Sequence, residues 1–262
     1  KYSTLRELEM VSMVNERERL DVIHRELNAD LQKYLDLRGL QLLITKQKPY
    51  EFLMRIEQLR FQTRWNQTPR VPKTSVLGHC FFVAVLSLLF SRETGVKMCP
   101  KRMYNNFFSG LFHDLPESIT RDIISPVKQA TDGLPEIIKD IEDKIVAKEL
   151  VPLMEEFYKE EILYFTNDEF MNRAVFDGCV LPVSFEELNE KFNEDRFNPV
   201  DGRLVRVADH YSAFLEADLS IQYGITSMQL KKGRENLIRI YAGKDRINGF
   251  DASSLFGSDI QP

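Results

Sequence analysis

The sequence predicts an all-α protein, and three observations predict it. Apolar residues recur at helical spacing through most of the chain, charged residues fill the gaps between them, and no series of alternating runs marks out a sheet. Between Leu20 and Tyr34, the residues Leu20, Ile23, Leu27, Leu31 and Tyr34 fall at steps of 3, 4, 4 and 3, one stripe of a helix. Two heptads are too few for a coiled coil, so the reading is a helix packed on its own domain.

Gly39 and Pro49 bracket a segment, Leu42-Leu-Ile-Thr45, whose periodicity leaves it undecided. A helix is predicted from Tyr50 to about Thr63, with Phe52, Ile56 and Leu59 inward and Phe61 as a further candidate. Asn66 to Pro72 reads as a loop, because Pro69 and Pro72 forbid a regular helix there. Ser75 is placed to cap a helix that carries His79 and the apolar run Cys80 to Phe90. Gly95 and Pro100 punctuate, and the next helix, from about Lys101, ends in His113-Asp114. Pro116 suits the start of the element that follows.

Asp132-Gly-Leu-Pro135 reads as a turn, Glu136 to Tyr158 as one long amphipathic helix, and Asn167 to Phe176 as a short one. Residues 179–201, with Pro182, Pro199 and many charges, read as a surface excursion. Leu204 to Tyr223 is the last strong helix, and the tail beyond Gly243 carries little structural signal. The expected organisation is an N-terminal helical extension (1–49), one domain (50–243, with an insertion around 130–202) and a C-terminal tail (244–262).

A chain of 262 residues can bury a substantial core. Its net charge of −5 supplies no global attraction to nucleic acid. Cys80, Cys99 and Cys179 are odd in number and form no CxxC, which fits reduced thiols in a cytoplasmic protein rather than a disulfide framework. The run Cys80 to Phe90 is too short to span a bilayer, so no membrane partner is expected.

The most informative residues are His113-Asp114, at the end of the apolar stretch Phe107-Phe-Ser-Gly-Leu-Phe112. An imidazole and a carboxylate are costly to bury there without a partner, and a bound cation is one such partner. Only four histidines are present; His79 lies 34 residues upstream, and Asp209 lies downstream in Val205-Arg-Val-Ala-Asp-His210. A lone histidine on an apolar face is more often a satisfied core residue, and that is the reading for His24 and His210. His79, His113, Asp114 and Asp209 together offer two imidazole nitrogens and two carboxylates from three helices. That set suits Mn²⁺, Co²⁺, Fe²⁺ or Zn²⁺ and leaves positions for water and substrate. Adjacent helical residues point about 100° apart, so His113 and Asp114 can share an ion only near a helix end.

This ordered series resembles the HD-domain metal-dependent phosphohydrolases, an all-helical family. Arg64-Trp65, Arg70, Ser75-Val76, Glu117, Asp122, Ser125-Pro-Val-Lys128 and Val205 to Asp209 extend the likeness toward the bacterial 5′-deoxynucleotidases. The resemblance covers about residues 50–130 and 203–220. Gly78 stands where the family often has an acid, and residues 1–49 and much of 130–202 exceed its compact core. The resemblance implies an HD-domain helical bundle with one divalent metal ion on His79, His113, Asp114 and Asp209. It further implies release of phosphate from (deoxy)nucleoside 5′-monophosphates by metal-activated water, and a homodimer.

Under that resemblance Glu117 accepts the water's proton or orients the nucleophile. Asp122 holds the sugar hydroxyl or protonates the leaving oxygen. Arg64 clamps the phosphate, Trp65 walls the sugar, and Lys128 adds positive potential. Taken alone, the two acids, Arg64 and Lys128 would read as surface residues and Trp65 as a core residue. Two rivals stay open: a hydrolase of nucleoside triphosphates, cyclic nucleotides or alarmones, and a nucleotide-binding module without turnover. A complete ligand set argues against the second. A di-iron oxygenase would need more ligands than His24 and His210 can add.

Overall fold

The computed structural model describes residues 1–12, 17–120, 134–243 and 246–256, and its described elements are mostly helical, as the all-α reading expects. The chain divides into two units, Lys1–Met54 with Leu153–Glu155, and Arg55–Pro152 with Glu156–Pro262. In the first, α1 (Tyr2–Val11), α2 (Arg17–Gln32), α3 (Arg38–Ile44) and the opening of α4 (Lys48–Phe61) follow in order. The helix α2 carries the stripe from Leu20 to Leu31, but Tyr34 falls beyond its end and, like Ile23, is exposed. The helix α3 occupies the segment whose periodicity was undecided, and Phe61, the further inward candidate, is exposed at the end of α4. The hydroxyl of Tyr2 donates to Leu43 O at 3.0 Å, which ties α1 to α3.

The second unit is built on α5 (Val76–Glu93), α6 (Pro100–Phe112) and α11 (Gly202–Gln222). Ser75 Oγ accepts from Gly78 N at 3.0 Å and so caps α5. By length and mean hydropathy (1.5) α5 is apolar enough to cross a membrane, but half of it is buried inside the unit, and it serves as a core helix. Its Val83, Leu86 and Phe90 pack on Leu204, Val205, Val207, Ala208 and Phe214 of α11. The approach of α5 to α6 depends on Gly110, where an added Cβ would lie 2.9 Å from Ala84 Cα.

Two further helices escaped the sequence reading, α1 and α12 (Met228–Tyr241), and α12 closes the core. The tail is also more ordered than expected. Phe250 stacks on Phe90 at 4.3 Å, and Phe256, in the short helix α13 (Ser253–Phe256), stacks on Tyr241 at 4.1 Å. Burying those two rings supplies what the tail's weak local signal lacked.

The stretch after residue 133 corrects three expectations. The long helix is interrupted: α8 (Leu134–Ile145) gives way to a π turn (Val146–Leu150) and a 3₁₀ turn (Val151–Leu153), and α9 (Glu156–Thr166) starts afresh. Pro152 lacks the N–H and the space that a continuing α-helix requires. The helix expected at Asn167–Phe176 is instead a turn followed by strand β1 (Asn172–Phe176). It pairs antiparallel with β2 (Cys179–Pro182) on one edge and with β3 (Val200–Asp201) on the other, in the order β2-β1-β3. Asp177 and Gly178 both take positive φ (48° and 76°), the requirement of a tight hairpin turn that Asp-Gly satisfies. The surface excursion (179–201) therefore contains the second strand of this hairpin, the short helix α10 (Phe185–Glu190) and β3.

Buried polar residues lock this sheet to the helices. Arg102 of α6 donates to both oxygens of Asp201 at 2.7 Å, and both residues are fully buried. Asn106 and Asn248 also donate to that carboxylate, so the buried charges are paired and hydrogen-bonded. This junction fixes the start of α11 against α6.

Candidate metal centre

The lock at Arg102–Asp201 and the close approach at Gly110 bring together the start of α5, the end of α6 and the first half of α11. His79 comes from the first turn of α5, His113 caps the C-terminus of α6, Asp114 follows it, and Asp209 lies on α11. His79 Nε2 is 3.1 Å from Asp209 Oδ1 and 3.6 Å from Asp114 Oδ2. His113 Nε2 is 3.2 Å from Asp114 Oδ2 and 3.8 Å from Asp209 Oδ1. The ligand atoms of His79, His113 and Asp114 lie within 4.8 Å of one another. The sequence-predicted quartet therefore converges.

The ring nitrogens facing away from this point are held. His113 Nδ1 is 2.8 Å from Gly110 O; a carbonyl only accepts, so Nδ1 carries the proton. His79 Nδ1 is 2.9 Å from Ser212 Oγ, which is itself buried. Both Nε2 atoms are buried and face these carboxylate oxygens without the geometry of a hydrogen bond. In the neutral ring, His113 Nε2 is thus a lone pair facing two carboxylates, and such a cluster is short of positive charge. The group of His79, His113 and Asp114 could hold a metal ion, and the orphaned nitrogens fit one.

The electrostatics agree. Burial opposes charge on His113, but Asp114, then Asp209 and the Gly110 carbonyl, outweigh it and push its pKa up to about 9. Burial also opposes charge on the two carboxylates. Asp114 is nevertheless held well below the usual range by His113, His79 and Arg64. Asp209 is held there by the two rings and His210.

Beside this cluster lies a second, which the sequence reading only half anticipated. Arg64 Nη1 is 3.3 Å from Asp114 Oδ2, and Arg64 Nε is 3.4 Å from Glu216 Oε2. Trp65 Nε1 donates to the same Glu216 oxygen at 2.9 Å, and Arg70 Nη2 is 3.6 Å from Oε1. Burial would raise the Glu216 pKa, but Arg64, His79, Arg70 and the Trp65 N–H together lower it. Glu216 and Ser212 were not singled out from the sequence. The available signal was spacing: Asp209, Ser212 and Glu216 fall at steps of three and four, so one face of α11 meets all these groups.

The remaining predicted residues are placed as follows. Glu117 opens α7 (Glu117–Thr120) and is buried, with its N–H donating to Asp114 O at 3.0 Å. The indole of Trp65 packs on Ala217 and Leu230, and a Cβ on Gly233 would come within 3.0 Å of it. Asp122 and Lys128 lie outside the described residues. His24, in the first unit, lies beside Asn28, and His210 Nδ1 is 2.9 Å from Tyr241 OH; neither joins the quartet.

Residues 56–238 match the HD domain family, which is well over half of the chain. The chain is an HD-domain protein. An HD-domain phosphohydrolase from Listeria innocua is similar in structure, with a TM-score of 0.56 and 16% identity, over 79% of this chain and 84% of that one. At that identity the likeness concerns the fold. No curated protein matches the sequence. In this HD-domain protein the eponymous pair is His113-Asp114, presented where α6 ends, so that both side chains reach the point faced by His79 and Asp209.

Proposed function

We propose that this HD-domain protein is a soluble, cytoplasmic, metal-dependent phosphohydrolase that releases phosphate from nucleoside 5′-monophosphates, the deoxy forms foremost. The observation that carries this reading is the convergence of His79, His113, Asp114 and Asp209, with Arg64 bonded to the same Asp114. One divalent ion on those four residues (Mn²⁺, Co²⁺, Fe²⁺ or Zn²⁺) would supply an acidified water and draw charge from the phosphoryl oxygens.

The chain's own residues do the rest. Gly110 O and Ser212 hold the two rings with Nε2 inward. Glu216 holds Arg64 by its Nε and Asp114 holds it by Nη1, which fixes the guanidinium beside the quartet as the clamp for phosphate oxygens. Glu117 accepts the proton of the attacking water. The water oxygen bonds to phosphorus as the bond to O5′ breaks, and Asp122 returns a proton to that leaving oxygen or holds the sugar hydroxyl. Trp65, beside Arg64, borders the sugar, and Lys128 adds positive potential. The proposed assembly is a homodimer, with neither nucleic acid nor membrane as partner.

The test is phosphate release from a panel of deoxy- and ribonucleoside 5′-monophosphates with Mn²⁺ or Co²⁺ supplied. Release from the deoxy forms that Asp114→Ala abolishes is the expected result. Metal bound but no monophosphate cleaved would sink the reading.

A further inference from the structure

The loop that joins α4 to α5 forms a pocket of about 320 Å³ whose wall includes Arg64, Trp65, Asn66, Thr68, Arg70 and Lys73. None of the described residues that line it is acidic. Three cations line it: Glu216 meets Arg64 and Arg70, Asp114 meets Arg64, and Lys73 is in no ion pair among the described residues, so positive charge faces the pocket. Arg70 is only 6% exposed, its Nη2 reaches Thr74 Oγ1, and its Nε has no hydrogen-bond partner. Thr68, equally buried, has a hydroxyl in the same condition. Buried donors are rarely left unmet without an occupant to meet them. Proteins hold phosphate-like groups with guanidinium, ammonium and hydroxyl donors, and this wall carries all three. Arg64 belongs to the wall and also touches Asp114, so the pocket adjoins the quartet through one side chain.

We propose that this pocket is an oxyanion site for a phosphate-like group, separate from the phosphate cleaved at the quartet. Its occupant is either a second phosphate of the substrate or a free anion that acts as an effector; the chemistry of recognition is the same. The site is argued from the loop alone and does not require the hydrolase reading.

Trp65 is the only tryptophan in the chain and lines the pocket, so its fluorescence reports binding locally. The experiment titrates the full chain with inorganic phosphate in the presence of a chelator. The expected result is a saturable change in Trp65 emission, at least tenfold weaker in affinity for Arg70→Gln and severalfold weaker for Lys73→Gln. His113→Ala should leave the affinity within about twofold. Lys73 is exposed, so its variant tests the site even if Arg70→Gln disturbs folding. No saturable change, or one that neither variant alters, overturns the proposal.

A second arm, with metal restored, separates the two sources. If Lys73→Gln raises KM only for compounds carrying a second phosphate, the occupant is part of the substrate. If added phosphate shifts the turnover of monophosphates in wild type but not in Lys73→Gln, the occupant is an effector. Absence of all turnover would end the hydrolase reading and leave the fluorescence result standing.

Discussion

Ser212 Oγ lies 2.9 Å from Nδ1 of His79, one helical turn beyond Asp209 on the same face of α11. A single helix thus supplies one predicted ligand and orients another. The position of the Ser212 hydroxyl aims His79 Nε2 at the carboxylates. Ser212→Ala should weaken Co²⁺ or Mn²⁺ affinity by roughly 10-fold to 100-fold, the usual effect of losing such a support. Titration calorimetry reads this directly; an unchanged affinity would show that His79 is oriented by packing alone.

Glu216 is predicted to act through Arg64. Glu216→Gln keeps the shape but weakens the hold on the Arg64 and Arg70 guanidinium groups, so turnover should fall at least tenfold while metal affinity stays within about twofold. Its pH behaviour follows in sign. The folded-state pKa lies below the ordinary value of 4.5, so the stabilisation is present above about 4.5 and is lost as pH falls through the lower folded value. Urea melts of Glu216→Gln should therefore show a shallower loss of stability on acidification than wild type. Parallel curves for the two proteins would contradict this.

Gly110 sets the distance between His79 and His113. Gly110→Ala would place a methyl group 2.9 Å from the Ala84 Cα and 3.0 Å from its N, and backbone cannot step aside as a side chain can. Parting α5 from α6 should cost about 1–3 kcal/mol and lower metal affinity as the two rings separate. Thermal denaturation and a Co²⁺ titration check both effects; a variant with wild-type Tm and affinity would refute the account of the helix contact.

These relationships also show what could be read from the sequence. Helices at Leu20, Tyr50, Ser75, Lys101 and Leu204 were legible because each carries its own apolar period or cap. The quartet was legible because His113-Asp114 is out of place at the end of an apolar run. The hairpin was missed although Asp177-Gly178 announces it, since Asn172–Phe176 is short and its burial is set by the neighbouring Asn248, Arg203 and Asp201. Glu216 and Ser212 were hidden for a different reason. An acid and a serine on a long helix look solvated until Arg64, Trp65 and His79 are folded against them.

Metal should stabilise the fold as well as enable turnover. An ion that binds only the folded chain adds about 2.7 kcal/mol at 100 times its Kd, which corresponds to a rise in Tm of roughly 5–10 °C for a unit of this size. Melting curves with excess Mn²⁺ and with a chelator should differ by that amount in wild type and coincide in His113→Ala. Equal shifts in the two proteins would place the ion elsewhere.

The central claim is that His79, His113, Asp114 and Asp209 close on one ion. Elemental analysis of the purified chain after reconstitution and desalting tests it most directly. One divalent ion per chain, lost in Asp209→Ala and in His79→Ala while both variants remain folded, is the predicted result. A wild-type chain that retains no ion, or variants that retain it undiminished, would contradict it.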